Sequence, residues 1–304
     1  MTKYFKYIFV VAVVVMVAIC VGCGSRKASK TTSDKVMIVS IPPYYGLVKA
    51  IVGDDFDVQV LLSEGSSPET FSPTIRQIAV VQNSEMFLSG NLMEFEKTLT
   101  KRLAEHKSVK VINISEGCKL IENEHDECGC EEGNQHHAHL HSHHHHGAVD
   151  PHVWMSPFEL ETITQNIGKA ICVAYPDSVK YMANLQQLIG ELRSRQIAYG
   201  EQLKVGGQRH FLIYHPALSY LARDYGLVQI SLENEGKNPT PASLAEVVDV
   251  VNKCGIRQMM YQSEYPQEVI KPIVDILGVN MVQINPLSAD ILSELDRVIN
   301  IISE

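Results

Sequence analysis

The sequence has no basic stripe. Across 304 residues, 26 Lys and Arg stand against 35 Asp and Glu, a formal charge of −9. A nucleic-acid binder needs a cationic face for phosphates, so that class is excluded. No His-Glu-x-x-His, the helical signature of many zinc hydrolases, is present. The apolar run over residues 8–21 falls short of the roughly 20 residues a comfortable membrane span needs. Cysteines are few. Beyond Cys20 and Cys23 stand only Cys118, Cys128, Cys130, Cys172 and Cys254, an odd set that leaves at least one thiol unpaired within the chain. A chain this long buries a core without a disulfide scaffold. What remains is ordinary globular material, 45% hydrophobic and 20% charged, with more residues than one compact core usually takes up.

The first residues stand apart from the fold. Lys3 and Lys6 precede the apolar run, which reads as a secretory signal. It ends in Val21-Gly22-Cys23-Gly24-Ser25, which resembles a bacterial lipobox with small Gly22 before the cysteine to be lipidated, Cys23. The position three before it holds Cys20 where Leu is usual, and Cys20 itself follows bulky Ile19. A plain anchor helix or soluble secretion is the alternative. Residues 1–23 are thus expected as a lipoprotein signal and 24–35, rich in Ser, Thr and Lys, as a flexible tether.

Beyond the tether, apolar runs of strand length alternate with helical spacing. Strands are predicted at 36–40, 58–62, 86–89 and 109–114, with helices at 45–52, 74–83 and 92–105. The pattern returns with strands at 210–214, 227–231, 258–261 and 280–284 and helices at 217–225, 243–253, 267–277 and 289–302. Strand–helix alternation implies parallel sheets with helices on their faces. The fold class is therefore α/β: two four-stranded lobes, 36–173 and 207–304. Between them, Tyr181, Leu185, Leu188, Leu192 and Ile197 recur at helical spacing from Pro176 until Gly206-Gly207. This predicts one long linking helix within 174–206, about 40 Å from end to end.

The segment 122–147 has no apolar period. It holds nine of the thirteen histidines, among them His136, His137, His139, His141, His143, His144, His145 and His146, together with Cys128 and Cys130. Imidazoles and thiolates bind transition metals, so this loop points to metal capture without saying which metal. It is too irregular for one defined site. A tight site needs scaffold ligands, and in open α/β sheets these lie beyond the carboxyl ends of strands. Metal-capable residues there are Glu69 after the second strand, His152 after the fourth and the loop, His215 after the fifth and Asn285 after the eighth. Glu69 alone could cap a helix, and each histidine alone could be a satisfied core residue. Two from each half place a metal between the lobes.

Ser67-Pro68-Glu69-Thr70-Phe71-Ser72-Pro73, Asp150-Pro151-His152-Val153-Trp154-Met155-Ser156-Pro157, and Phe211-Leu212-Ile213-Tyr214-His215-Pro216-Ala217 with Tyr220 and Tyr225-Gly226-Leu227 are similar to the motifs of the metal-binding solute-binding proteins of zinc and manganese ABC transporters. The resemblance covers essentially all of the chain after the tether. It implies two α/β lobes on one long helix, a non-enzymatic, monomeric protein anchored by lipid at the cell surface or in the periplasm, and a membrane permease as partner. A histidine- and acid-rich loop ahead of the second ligand implies zinc. Two positions depart from the family pattern: Glu69 stands where His is usual, and Asn285 where Asp is frequent. The expected ligands are therefore Glu69, His152, His215 and either Asn285 or a water, a set hard enough to leave manganese or iron open. Glu264, after the seventh strand, is a candidate supporting acid. Outside this family, a zinc hydrolase or a metal buffer working through the loop alone remain alternatives.

Overall fold

The computed structural model describes residues 35–63, 65–106, 109–122, 149–233 and 239–304. The expected signal with Cys23 and all of the expected tether but Lys35 lie outside these residues, as do Cys128, Cys130 and the loop histidines.

Two four-stranded sheets form, and every strand pairing in them is parallel. The first contains β1 (Val36–Val39), β2 (Asp57–Val60), β3 (Met86–Ser89) and β4 (Lys110–Asn113) in the order β2-β1-β3-β4. The second contains β5 (His210–Ile213), β6 (Val228–Ser231), β7 (Gln258–Gln262) and β8 (Asn280–Ile284) in the order β6-β5-β7-β8. The central strands are short apolar runs, such as Val-Met-Ile-Val in β1, as strands covered on both faces require. In each sheet the chain steps from the first strand to one side and then crosses to the other. The strand order so reverses beside β1 and beside β5, and a crevice opens at their carboxyl ends.

Helices α1 (Pro42–Val52), α2 (Ile75–Gln82), α3 (Glu94–His106) and α4 (Pro157–Ala174) serve the first lobe. The Pro42-Pro43 pair, which ends the first strand run, occupies the first turn of α1, where the missing N–H groups would have no partner anyway. Helix α4 was not expected. Ser156 caps it by accepting from the N–H groups of Phe158 and Glu159, and Leu160, Ile163, Ile167 and Ile171 bury one face.

The linking helix α5 (Val179–Gly206) has 28 residues and is closed by Gly207 in the left-handed conformation. It starts three residues after Pro176. Its first half holds the first lobe: Tyr181 donates to Asp55 (2.7 Å) and Asn184 to the Ile51 carbonyl (2.9 Å). Its second half holds the other: Arg195 and Tyr199 both reach Asp296 (3.2 and 2.5 Å). The second lobe adds α6 (Ser219–Tyr225), α7 (Pro241–Cys254), α8 (Gln267–Leu277) and α9 (Ile291–Ser303). None of the described helices is long and apolar enough to cross a membrane.

One continuous core runs from the first sheet through α4 and α5 into Phe211, Ile213, Met260, Ile284 and Leu295 of the second lobe. A separate cluster lies under α7 and α8. The lobes meet closely: a Cβ on Gly46 of α1 would stand 2.2 Å from the Ala289 carbonyl oxygen before α9.

Candidate metal centre

Three strand-end segments bring Glu69, His152 and His215 together. His215 stands two residues past the end of β5, and Gln262 at the end of β7 fixes its backbone. The Gln262 amide donates to the His215 carbonyl (2.6 Å), and the His215 N–H reaches the Gln262 side-chain oxygen (3.4 Å). His152 opens the 3-10 turn Val153–Met155, whose three side chains are buried. Asp150 accepts from the His152 N–H (2.9 Å) and lies 2.9 Å from its Nδ1. The Trp154 indole donates across the lobes to the Pro286 carbonyl (2.8 Å), which locks that turn in place. Glu69 sits on the irregular stretch between β2 and α2. Pro68 is buried there, Phe71 packs edge-on against Phe95 at 5.1 Å, and Thr74 with Gln77 forms a capping box at the start of α2.

The ligand atoms converge. His152 Nε2 and His215 Nε2 are 3.3 Å apart, His215 Nε2 and a Glu69 carboxylate oxygen 3.2 Å, and one ligand atom from each of the three residues lies within 4.8 Å of the others. Atoms bound at about 2.0–2.2 Å to one tetrahedral zinc stand about 3.3–3.6 Å apart. The two closest pairs match that spacing. The imidazoles are almost buried, with 6% and 7% of their side chains exposed, whereas Glu69 keeps 29%.

Each imidazole is aimed by a buried carboxylate. Asp150 holds Nδ1 of His152, and Glu233 holds Nδ1 of His215 at 2.5 Å while also accepting from the Tyr265 hydroxyl at 2.9 Å. With Nδ1 donating, each Nε2 directs its lone pair at the other across 3.3 Å, a geometry that calls for a shared cation. Burial alone would depress the His215 pKa, but the hydrogen bond to Glu233 and the charges of Glu69, Glu233 and Asp150 raise it above the ordinary value. Asp150 is pushed up by burial, yet hydrogen bonds from His152 and Ser219 bring its pKa below the usual carboxylate value.

Three of the four expected ligands therefore meet. Asn285 does not present itself as the fourth: its side-chain oxygen accepts from the Leu287 N–H (3.1 Å), with the Ser263 hydroxyl at 3.5 Å. Glu264 also differs from expectation. Its carboxylate accepts from Ser263 (3.3 Å), and the acid that holds His215 is Glu233. Glu233 stands two residues past β6, where the same strand-end criterion applies. The histidine-rich segment lies outside the described residues, but the residues flanking it are bridged, Glu122 against Val149, with the Asp150 N–H donating to Ile121 (2.9 Å).

The sequence profile of the family described as zinc-uptake complex component A, periplasmic (ZnuA), matches residues 37–298. The zinc-binding protein AdcA of Streptococcus pyogenes serotype M3 is 28% identical over 258 residues, covering 83% of this chain and 50% of its own length. The chain thus spans about half the length of the first curated relatives it matches. The high-affinity zinc uptake system protein ZnuA of Bacillus subtilis (strain 168) is 27% identical over 307 residues, covering 98% of this chain and 93% of its own. A crystal structure of ZnuA superposes with a TM-score of 0.75 at 28% identity, over 88% of this chain and 98% of that one. The solved relative has the same fold and the family profile takes in both lobes and the linking helix: the chain belongs to the zinc-uptake complex component A family.

Proposed function

We propose that this protein is the extracytoplasmic solute-binding component of a zinc ABC transporter, which captures Zn2+ between its lobes and hands it to a membrane permease. The observation that carries the reading is the convergence of Glu69, His152 and His215 at tetrahedral-zinc spacing, each histidine backed by its own buried carboxylate. Zinc is the cargo. Two imidazoles and one carboxylate suit it, and solvent supplies the remaining position. The carboxylate at Glu69 makes manganese or iron the second choice. In this reading Cys23 carries the lipid that keeps a monomeric protein near its permease, and the histidines and cysteines of 122–147 raise the local zinc supply.

The test is a competition titration against a chromophoric zinc chelator. One tight site should be present in the unaltered protein and be lost in both His152→Ala and His215→Ala. Tight binding that survives both substitutions would move the site elsewhere, with the loop histidines as the first place to look.

A further inference from the structure

The segment that leads into His152 is gripped from the opposite lobe. Tyr220, on α6 of the second lobe, is fully buried. Its hydroxyl donates to the Asp150 carbonyl (2.6 Å) and accepts from the Ile121 N–H (3.1 Å). Those two residues are the two sides of the stem that closes the histidine-rich segment, since the Asp150 N–H itself donates to Ile121 and Glu122 bridges Val149. One hydroxyl therefore pins both sides of the stem at a single point. From that point the chain runs two residues to His152, whose ring is aimed by the carboxylate of the same Asp150.

The surroundings leave Tyr220 little freedom. Arg223, one turn later on α6, stacks over the Tyr220 ring at 5.1 Å. The same guanidinium donates to Glu159 (2.7 Å) and to the Lys119 carbonyl, and Glu159 in turn accepts from the Lys119 N–H (3.1 Å). Asp224 receives the Ser156 hydroxyl at the start of α4. Helix α6 is joined to His215 by only three intervening residues. The element that carries one histidine thus also sets the backbone position of the other.

We propose that Tyr220 is a positioning residue for metal capture: its buried hydroxyl fastens the stem of the histidine-rich segment to α6, and through Asp150 it sets the orientation of His152 toward His215. The inference rests on the metal-site reading above. Tyr220→Phe keeps the ring and its packing against Arg223 but takes the hydroxyl away from the buried Asp150 carbonyl and the half-buried Ile121 N–H. Asp150 then shifts, and His152 with it. Groups that orient a ligating histidine in this way typically change metal affinity by about 10–100-fold, so an indirect tether through backbone should act at the lower end, about tenfold.

The experiment uses the full chain with its histidine-rich segment in place. Zinc affinity is measured by chelator competition, and the Co2+-loaded protein is followed by its visible ligand-field bands, which report the geometry of the coordinating atoms. Tyr220→Phe is expected to weaken the tight site about tenfold and to shift those bands. Wild-type affinity and unshifted bands, with or without a lower melting temperature of the metal-free protein, would reduce Tyr220 to a packing role and overturn the proposal. His152→Ala run alongside separates the two levels. Loss of tight binding there together with an unchanged Tyr220→Phe refutes only the positioning role, whereas tight binding retained in His152→Ala refutes the site itself. If Tyr220→Phe fails to fold, Asp150→Asn, which keeps the carbonyl clamp and alters only the carboxylate facing His152, gives the same readout. Unshifted Co2+ bands in that variant would show that Asp150 does not orient His152, and the route from Tyr220 would fall.

Discussion

The carboxylate of Glu233 offers the sharpest test of how the site obtains its strength. It is 2% exposed and touches no expected metal position directly, yet it holds the His215 Nδ1 at 2.5 Å. Its charge lies about 6 Å from an ion on Nε2, and at an effective dielectric of ~20 the attraction to a divalent cation is about 5 kcal/mol. That figure is an upper bound, because Tyr265 shares the carboxylate (2.9 Å) and solvent reorganises on binding. Measured losses for such partners run about 10–100-fold, or about 1.4–2.7 kcal/mol. Glu233→Gln keeps acceptor and donor capacity while removing the charge, so it should cost about tenfold in zinc affinity. Glu233→Ala strands the imidazole N–H and the Tyr265 hydroxyl as well, so it should cost about a hundredfold and lower the melting temperature. The assay is chelator competition across pH. The loss should be largest in alkali and shrink in acid, since Glu233 also raises the His215 pKa. Below that pKa zinc must displace a proton, and the variant holds its proton less tightly. An affinity unchanged in Glu233→Gln, or a loss that grows toward acid, would refute the reasoning.

Other expectations follow from the same geometry. Glu69→His should keep or raise zinc affinity and lower manganese affinity, since imidazole suits zinc and carboxylate suits manganese; the reverse order in paired titrations would remove Glu69 from the ligand set. In the metal-free protein the raised His215 pKa contributes stability that is complete below the unfolded value of about 6.5 and fades as pH rises through the folded value. Melting curves of the protein and of His215→Ala should therefore converge toward alkali when metal is absent. Zinc at a thousandfold excess over Kd should add about 4 kcal/mol, and its effect should strengthen with pH. Removal of 123–148 with Glu122 and Val149 joined by a short Gly-Ser turn should reduce the number of weakly held zinc ions and leave the tight site at its original affinity. Loss of the tight site would place its ligands among His136 to His146.

Strand positions and lobe number were legible because buried parallel strands are short apolar runs set off by polar turns, and eight of them stand in two matching groups. Boundaries moved where local chemistry has two uses. Pro42-Pro43 stops a strand and also begins a helix. The helix over Leu160 to Ile171 carries its own signals, a Ser156-Pro157 start and helical apolar spacing, but it directly follows the irregular His152 motif. At the site, the three residues that meet were legible because strand ends in this architecture point into the crevice. Their supports were harder to read. Glu233 and Tyr220 act across 18 and 70 residues of sequence, and no local pattern records such a partnership. Asn285 sits at the right strand end, but its short carboxamide closes a local turn onto Leu287 instead.

The geometry also limits what the crevice can hold. The indole of Trp154 is tied to Pro286, the hydroxyl of Tyr220 to Asp150, and α5 to both lobes through Asp55 and Asp296. A core continuous from the first sheet into the second lobe backs these bonds. Opening the lobes widely would expose that core and break several buried hydrogen bonds at once, each costing about 1–3 kcal/mol when left unsatisfied. The donor atoms 3.2 and 3.3 Å apart are spaced for a single ion. Among ions, calcium takes six to eight oxygen ligands and magnesium a near-octahedral, oxygen-rich shell. Two imidazole nitrogens serve neither. On the proposed reading, selectivity against the abundant cations should therefore rest on His152 and His215, and the choice among transition metals on Glu69, the most exposed of the three.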